Sequence, residues 1–67
     1  MRIEQLHCIV DIAETGSITA TAQRQFVTQQ AVSKTIKQLE KELNATLLIR
    51  TRTGVSFTEI GKELVTF

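Results

Sequence analysis

The polar side chains of segment 29–37 that fall on one side of a helix are amides, a hydroxyl and ammonium groups. They are Gln29, Gln30, Ser33, Lys34 and Lys37. A glutamine can bind adenine through two hydrogen bonds, a serine can bond to several base edges, and a lysine can reach guanine or phosphate. Thr28 adds a hydroxyl at the predicted start of the helix, where free backbone N–H groups favour a phosphate. This chemistry fits the major groove of double-stranded DNA.

The same helix has an apolar side, and a short helix and a turn precede it in the sequence. At about 100° per residue, four apolar residues lie opposite the polar arc, which Glu40 and Lys41 complete at its far end. They are Val32, Ile36, Leu39 and Leu43. A short helix Ile18–Gln25 and a three-residue turn precede the helix Gln29–Leu43, as in a helix-turn-helix whose second helix enters the groove. The alternative interpretation is that these polar side chains are only the solvent-exposed face of a helix and bind nothing.

The charge distribution favours DNA binding, although the net charge is only +1. No acid occurs between Glu14 and Glu40, or between Glu42 and Glu59. The cations of these two windows are Arg24, Lys34, Lys37, Arg50 and Arg52. The windows could fold together into one basic face, or their spacing could be accidental.

The first helix is predicted over residues 3–14, followed by a tight corner. Ile3, Leu6, Ile9, Val10 and Ala13 share one arc and are expected to face the core. Cys8 and Ile12 fall outside that arc, which indicates a contact on a second side. Gly16 suits the left-handed residue after a helix, and Ser17 suits the next N-cap. The inner side of the second helix is expected to be Ile18, Thr21, Ala22 and Phe26.

Asn44 suits the end of the third helix, and the residue pattern after it is typical of strands and not of a helix. Residues 47–50 and 55–58 read as two strands, with a turn at 51–54. Thr58 is the predicted cap of a last helix, whose apolar stripe is Ile60, Leu64 and Phe67. The predicted order is helix, helix, helix, hairpin, helix, which is a mainly α winged helix-turn-helix.

Several function classes are excluded or disfavoured by composition. Sixty-seven residues make one small domain or a fragment, with no run of the roughly 18 apolar residues that a membrane span needs. Cys8 is the only cysteine, which fits a reducing cytosol, so we expect a cytoplasmic location. His7 is the only histidine, and neighbours on a helix point to different sides, so the two form no nucleophile–base pair. We therefore expect no enzyme and no metal site.

Residues 3–61 resemble the N-terminal DNA-binding domain of LysR-type transcriptional regulators, in register and without a gap. The residues that carry this resemblance are Leu6, Val10, Ala13, Gly16, Ser17, Thr19, Ala22, Arg24, 27–29, 31–34, Ile36, 38–40, Glu42, Leu43, Leu47, Arg50 and 58–61. The resemblance implies a DNA-binding domain at 1–58, with the helix-turn-helix at about 18–37 and the wing at about 47–58. Residues 59–67 would begin a linker helix that pairs two protomers.

The resemblance also implies a function and a set of site residues. The protein would bind promoter DNA as a dimer or higher oligomer, with the third helix in the major groove and the wing near the minor groove. The expected DNA contacts are Thr28, Gln29, Gln30, Ser33, Lys34, Lys37, Arg50 and Arg52, and the expected dimer contacts are Ile60, Leu64 and Phe67. A small-molecule inducer would bind a C-terminal domain absent from this chain, so no cofactor is expected here. The alternative is a helical protein-interaction module that uses the same apolar stripe.

Three positions depart from the family pattern. Gln30 stands where proline is common, and Gln25 stands where an apolar residue is usual. We expect Phe26 to take over the packing of Gln25. Ile49 replaces a usual acid before Arg50, which makes the hairpin more apolar and less negative. Arg50 lies at the strand end, and an alternative to its DNA contact is a pair with an acid such as Glu40 or Glu42 that braces the hairpin.

Overall fold

The computed structural model describes residues 2–66, which form four helices and one β-hairpin. The elements are α1 (Ile3–Thr15), α2 (Ile18–Gln25), α3 (Gln29–Leu43), β1 (Leu48–Thr51), β2 (Gly54–Phe57) and α4 (Glu59–Thr66). This order confirms the predicted mainly α winged helix-turn-helix. Within residues 2–66, no helix is both long enough and apolar enough to cross a membrane.

Local side-chain and backbone chemistry sets the helix boundaries. Ser17, Thr28 and Thr58 each accept a hydrogen bond through the side-chain hydroxyl from the backbone N–H three residues later, at 3.2, 3.0 and 3.1 Å. Gly16 and Asn44 end α1 and α3 in the left-handed region, with φ of 71° and 52°. These caps satisfy backbone groups that a helix end would otherwise leave without partners, and they confirm the predicted boundaries.

The core lies between α1, α2, α3 and the start of the hairpin. Its buried apolar residues are Cys8, Ile9, Ile12, Ala22, Val32, Ile36, Leu39 and Leu47. Val32, Ile36 and Leu39 come from the predicted apolar side of α3, and fully burying such a side chain contributes about 1.5–3 kcal/mol. The face opposite this stripe is therefore held outward.

The predicted inner arc of α1 was only partly right: Ile9 is buried and Leu6 half-buried, and the second contact side predicted from Cys8 and Ile12 is confirmed. Ile3 is 66% exposed and Val10 and Ala13 are also exposed, whereas Cys8 and Ile12 are buried. The reason is that α1 packs against α2, α3 and α4 together, so its buried side is centred on residues 8, 9 and 12. A single amphipathic arc does not describe a helix surrounded in this way.

The expected inward packing of Phe26 was also wrong. Phe26 is the C-cap of α2, has a φ of 57°, and is 95% exposed. Gln25 is held by a different interaction, since its Nε2 donates a hydrogen bond of 2.6 Å to Asp11 Oδ2. A polar bond between α2 and α1 therefore takes the place of the expected apolar contact.

The hairpin is antiparallel, and its register joins Leu48 to Phe57 and Thr51 to Gly54. Glu40 of α3 secures its start, because one carboxylate oxygen accepts the backbone N–H groups of Leu47 at 2.7 Å and Leu48 at 3.2 Å. These bonds fix the wing relative to α3.

A close backbone approach holds α4 against the start of the hairpin. Gly61 is buried, and a Cβ there would collide with the carbonyl oxygen of Leu47 and lie 3.1 Å from the Phe57 ring. Glycine is therefore the residue that fits this contact, and α4 leaves the domain in a defined direction.

Candidate nucleic-acid interface

An open groove of about 530 Å³ runs along the outward face of α3. Its lining residues are Gln29, Gln30, Ser33, Lys34, Lys37, Gln38, Lys41 and Arg50. The helix positions seven of these side chains, because the apolar stripe on its opposite side is buried in the core. We call this surface the α3 groove. Four of its lining residues are cations and none is an acid.

The N-terminal end of α3 offers further hydrogen-bond donors beside the groove. Thr28 already binds the N–H groups of Ala31, through Oγ1 at 3.0 Å, and of Val32, through its carbonyl at 3.2 Å. The N–H groups of Gln29 and Gln30 lie in the first turn, where no carbonyl of the same helix can accept them. They are available to an anion, which the positive end of the helix dipole also favours.

Arg50 joins the wing to α3 across the groove. Its guanidinium Nη2 donates a hydrogen bond to the hydroxyl oxygen of Ser33, and both side chains line the groove. The alternative pairing of Arg50 with Glu40 was wrong, because the Glu40 carboxylate faces the backbone amides of Leu47 and Leu48. Arg50 is thus part of the groove surface.

A second depression, of about 240 Å³, continues the surface between the start of α2 and the wing. It is lined by Ser17, Ile18, Thr19, Gln29, Arg50, Thr51, Arg52, Gly54 and Val55. Gln29 and Arg50 line both depressions, so one continuous surface includes α3 and the hairpin turn that carries Arg52. Arg52 is exposed, as expected of a turn residue.

Five polar residues of this surface were not among the predicted contacts, and they are Gln38, Lys41, Ser17, Thr19 and Thr51. Gln38 lies one turn after Lys34, and Lys41 lies at the far end of the predicted polar arc. The signal for Gln38 was its i+4 spacing from Lys34. Ser17 and Thr19 lie at the first turn of α2, and only the three-dimensional arrangement brings them beside the wing.

One cation of the acid-free windows does not belong to the surface. Arg24 Nη1 pairs with Asp11 Oδ1 at 3.1 Å and Glu14 Oε1 at 2.6 Å, which are acids of α1. The Gln25 amide and then the Arg24 guanidinium hold the pKa of the Asp11 carboxyl below its ordinary value. The cations of the surface are therefore Lys34, Lys37, Lys41, Arg50 and Arg52.

Comparison with known proteins identifies the family. The model of the bacterial regulatory helix-turn-helix proteins of the lysR family matches residues 3–62. This chain belongs to the LysR family. Because that family consists of transcriptional regulators, the expectation that the chain is not an enzyme is confirmed.

Individual LysR-family relatives match nearly the whole chain. The uncharacterized HTH-type transcriptional regulator YoaU of Bacillus subtilis is 44% identical over 66 residues, covering 97% of this chain and 23% of that protein. The nitrogen assimilation regulatory protein nac of Escherichia coli is 42% identical over 66 residues, covering 98% of this chain and 22% of that protein. The chain thus spans less than a quarter of the length of these relatives.

Among solved structures, the CbnR DNA-binding domain in complex with DNA superposes with a TM-score of 0.93 at 30% sequence identity. The match covers 98% of this chain and 76% of that one. The winged helix-turn-helix of the LysR family is therefore present over the full described range.

Two of the three residues expected at a LysR-family dimer interface, Ile60 and Leu64, lie on α4. Ile60 is 49% exposed, whereas Leu64 is half-buried and packs against the core of its own chain. Phe67 lies outside the described residues. Within residues 2–66, Ile60 is therefore the more accessible member of the expected stripe.

The cysteine and the metal-ligating residue types of this LysR-family domain form no metal site in the described range. Cys8 is buried, and burial, followed by the charge of Asp11, raises the pKa of its thiol. In residues 2–66, no group of three histidine, cysteine or acidic residues is arranged to hold a metal ion.

Proposed function

We propose that this chain is the DNA-binding part of a transcriptional regulator that acts at promoter sites, with α3 in the major groove and the wing near the minor groove. The observation that carries the proposal is the α3 groove, where amides, a hydroxyl and four cations line one face without an acid. An arginine from the neighbouring hairpin is not expected on a helix face that only contacts solvent. Here Arg50 of the hairpin adds its positive charge to the α3 groove through its hydrogen bond to Ser33.

Each side chain of the groove has a role that follows from its chemistry. Gln29, Gln30 and Ser33 lie near the start of α3 and are assigned to base edges, because amides and hydroxyls discriminate bases in the major groove. Gln30 adds a donor and an acceptor that the common proline lacks. This position is therefore a candidate for a base preference specific to this protein.

The phosphate contacts are assigned to groups that do not distinguish bases. Lys34 and Lys37 are exposed cations of α3, and Thr28 lies at its N-terminus beside the available N–H groups. Such contacts fix the register of a protein on the duplex without reading sequence. Arg52, at the tip of the wing, is assigned to the minor groove, whose negative potential is enhanced in A·T-rich DNA.

The relatives support this proposal. CbnR carries the same fold in a complex with DNA, and the nac protein is named as a regulator of nitrogen assimilation. By analogy, the whole protein is proposed to be a cytoplasmic homodimer or tetramer. Ile60, Leu64 and Phe67 would contribute to pairing, and a small-molecule inducer would bind a C-terminal domain.

The experiment that tests the function is a selection of bound duplexes from random DNA with the full-length protein. We expect the selected duplexes to share a sequence, and the logarithm of their affinity to fall linearly with the logarithm of salt concentration. Selected duplexes without a shared sequence, bound no more tightly than random DNA, would support the protein-interaction module instead.

A further inference from the structure

The most exposed large apolar side chain among residues 2–66 lies outside the DNA-facing surface. Phe26 is 95% exposed, and Val27 beside it is 45% exposed. Phe26 also adopts a φ of 57°, a region that bulky residues other than glycine rarely occupy. The left-handed backbone costs stability and the exposed ring contributes no burial to offset that cost, and such outliers concentrate at functional positions.

The surroundings of Phe26 are acidic. A depression of about 420 Å³ is lined by Glu4, His7, Asp11, Arg24, Gln25 and Phe26. Arg24 pairs with Asp11 and Glu14, and Glu4 lines the same depression, so three carboxylates and one guanidinium give these residues a net charge of −2 when His7 is neutral. This depression and the α3 groove share no lining residue.

We propose that the Phe26 surface, formed by Glu4, Asp11, Glu14, Phe26 and Val27, docks a basic segment of another protein. A lysine or arginine can lie against the face of the Phe26 ring while its charge is balanced by the nearby carboxylates. The apolar edge of Phe26 and Val27 accepts the hydrocarbon part of the same side chain. DNA is a poor occupant, because its phosphates would meet a net negative charge.

The test is an NMR titration of the isotope-labelled 67-residue chain with two matched synthetic peptides. One peptide alternates arginine with leucine and serine, and the other carries glutamate at every arginine position. We expect only the basic peptide to shift the resonances of Phe26, Val27 and Glu4. Phe26→Asn should weaken its binding about two- to fivefold, the value expected from losing one exposed cation–π contact. Asparagine tolerates the left-handed region, so this variant keeps the turn.

The matched control is Ile49→Asn, which removes an exposed apolar side chain from the wing and should leave peptide binding unchanged. Equal shifts with the acidic peptide, or equal losses in the two variants, would overturn the proposal. Loss of DNA affinity in Phe26→Asn would assign the surface to DNA. Reduced self-association of Phe26→Asn in sedimentation would assign it to a second copy of the chain. Either result would also overturn the proposal.

Discussion

Arg50 of the wing donates a hydrogen bond to Ser33 of α3, and this bond connects the two elements assigned to different grooves of DNA. The bond uses an acceptor lone pair of Ser33 and leaves its hydroxyl hydrogen free to donate to a base. It also holds the guanidinium over the recognition helix. The two residues should therefore act on DNA as a coupled pair.

We expect this coupling to appear in a double-mutant cycle. Ser33→Ala should cost about 1–3 kcal/mol of binding free energy at the selected site, since it removes a base contact. Arg50→Ala should weaken binding as well, and the double variant should deviate from the sum by about 0.5 kcal/mol or more. Fluorescence anisotropy with a labelled duplex measures all four proteins. Additivity within about 0.3 kcal/mol would show that the bond has no role in DNA binding.

Glu40, and not Arg50, is expected to stabilise the hairpin. Glu40→Ala leaves the N–H groups of Leu47 and Leu48 without their acceptor and should lower the free energy of unfolding by about 1.5–3 kcal/mol. Glu40→Gln keeps an acceptor oxygen and should lose less. Urea denaturation gives both values, with Glu63→Ala on exposed α4 as the control. Equal effects of Glu40→Ala and the control would contradict this role.

Phe26→Asn is expected to stabilise the fold. The left-handed conformation costs an ordinary residue about 1–2 kcal/mol, and asparagine bears it more easily. A gain of about 0.5–1 kcal/mol should raise the melting temperature by several degrees in a domain of this size. Phe26→Ala, which keeps the backbone cost, is the control for loss of the ring. A lower melting temperature for the asparagine variant would mean that the ring makes a stabilising contact.

Arg52→Ala is expected to keep the fold and to lose affinity selectively. Arg52 is exposed in the hairpin turn, so thermal unfolding should be unchanged. Binding should weaken most where the DNA beside the major-groove site is rich in A·T pairs, whose narrow minor groove attracts an arginine. Duplexes with A·T-rich and G·C-rich flanks provide the comparison. Equal losses on both would identify Arg52 as a phosphate contact.

The helix boundaries and the polar arc of α3 could be predicted because they depend on local chemistry. Ser17, Thr28 and Thr58 are caps within a few residues of the groups they bind, and the arc follows from helical geometry alone. The orientation of α1 could not be predicted, because three other helices surround it. The periodicity of one helix does not tell how many neighbours it has.

The hydrogen-bond partners of the long polar side chains could not be predicted from the sequence either. Arg50 and Glu40 have opposite charges and lie near each other along the fold, which made a pair the natural expectation. The carboxylate instead accepts hydrogen bonds from two backbone amides at the start of the hairpin. Counting charges cannot reveal a competing backbone donor. Phe26 was misplaced for a related reason, because the turn that exposes it depends on the backbone angle of a single residue.

The central claim is that the start of α3 reads bases while its later cations hold phosphates. The measurement is the affinity of Gln29→Ala and Lys37→Ala for the selected duplex and for a scrambled one over a range of salt concentrations. Gln29→Ala should lose about 1–3 kcal/mol on the selected duplex alone. Lys37→Ala should weaken binding to both duplexes equally and lower the salt slope by about one. Equal losses for Gln29→Ala on the two duplexes would contradict base reading by the start of α3.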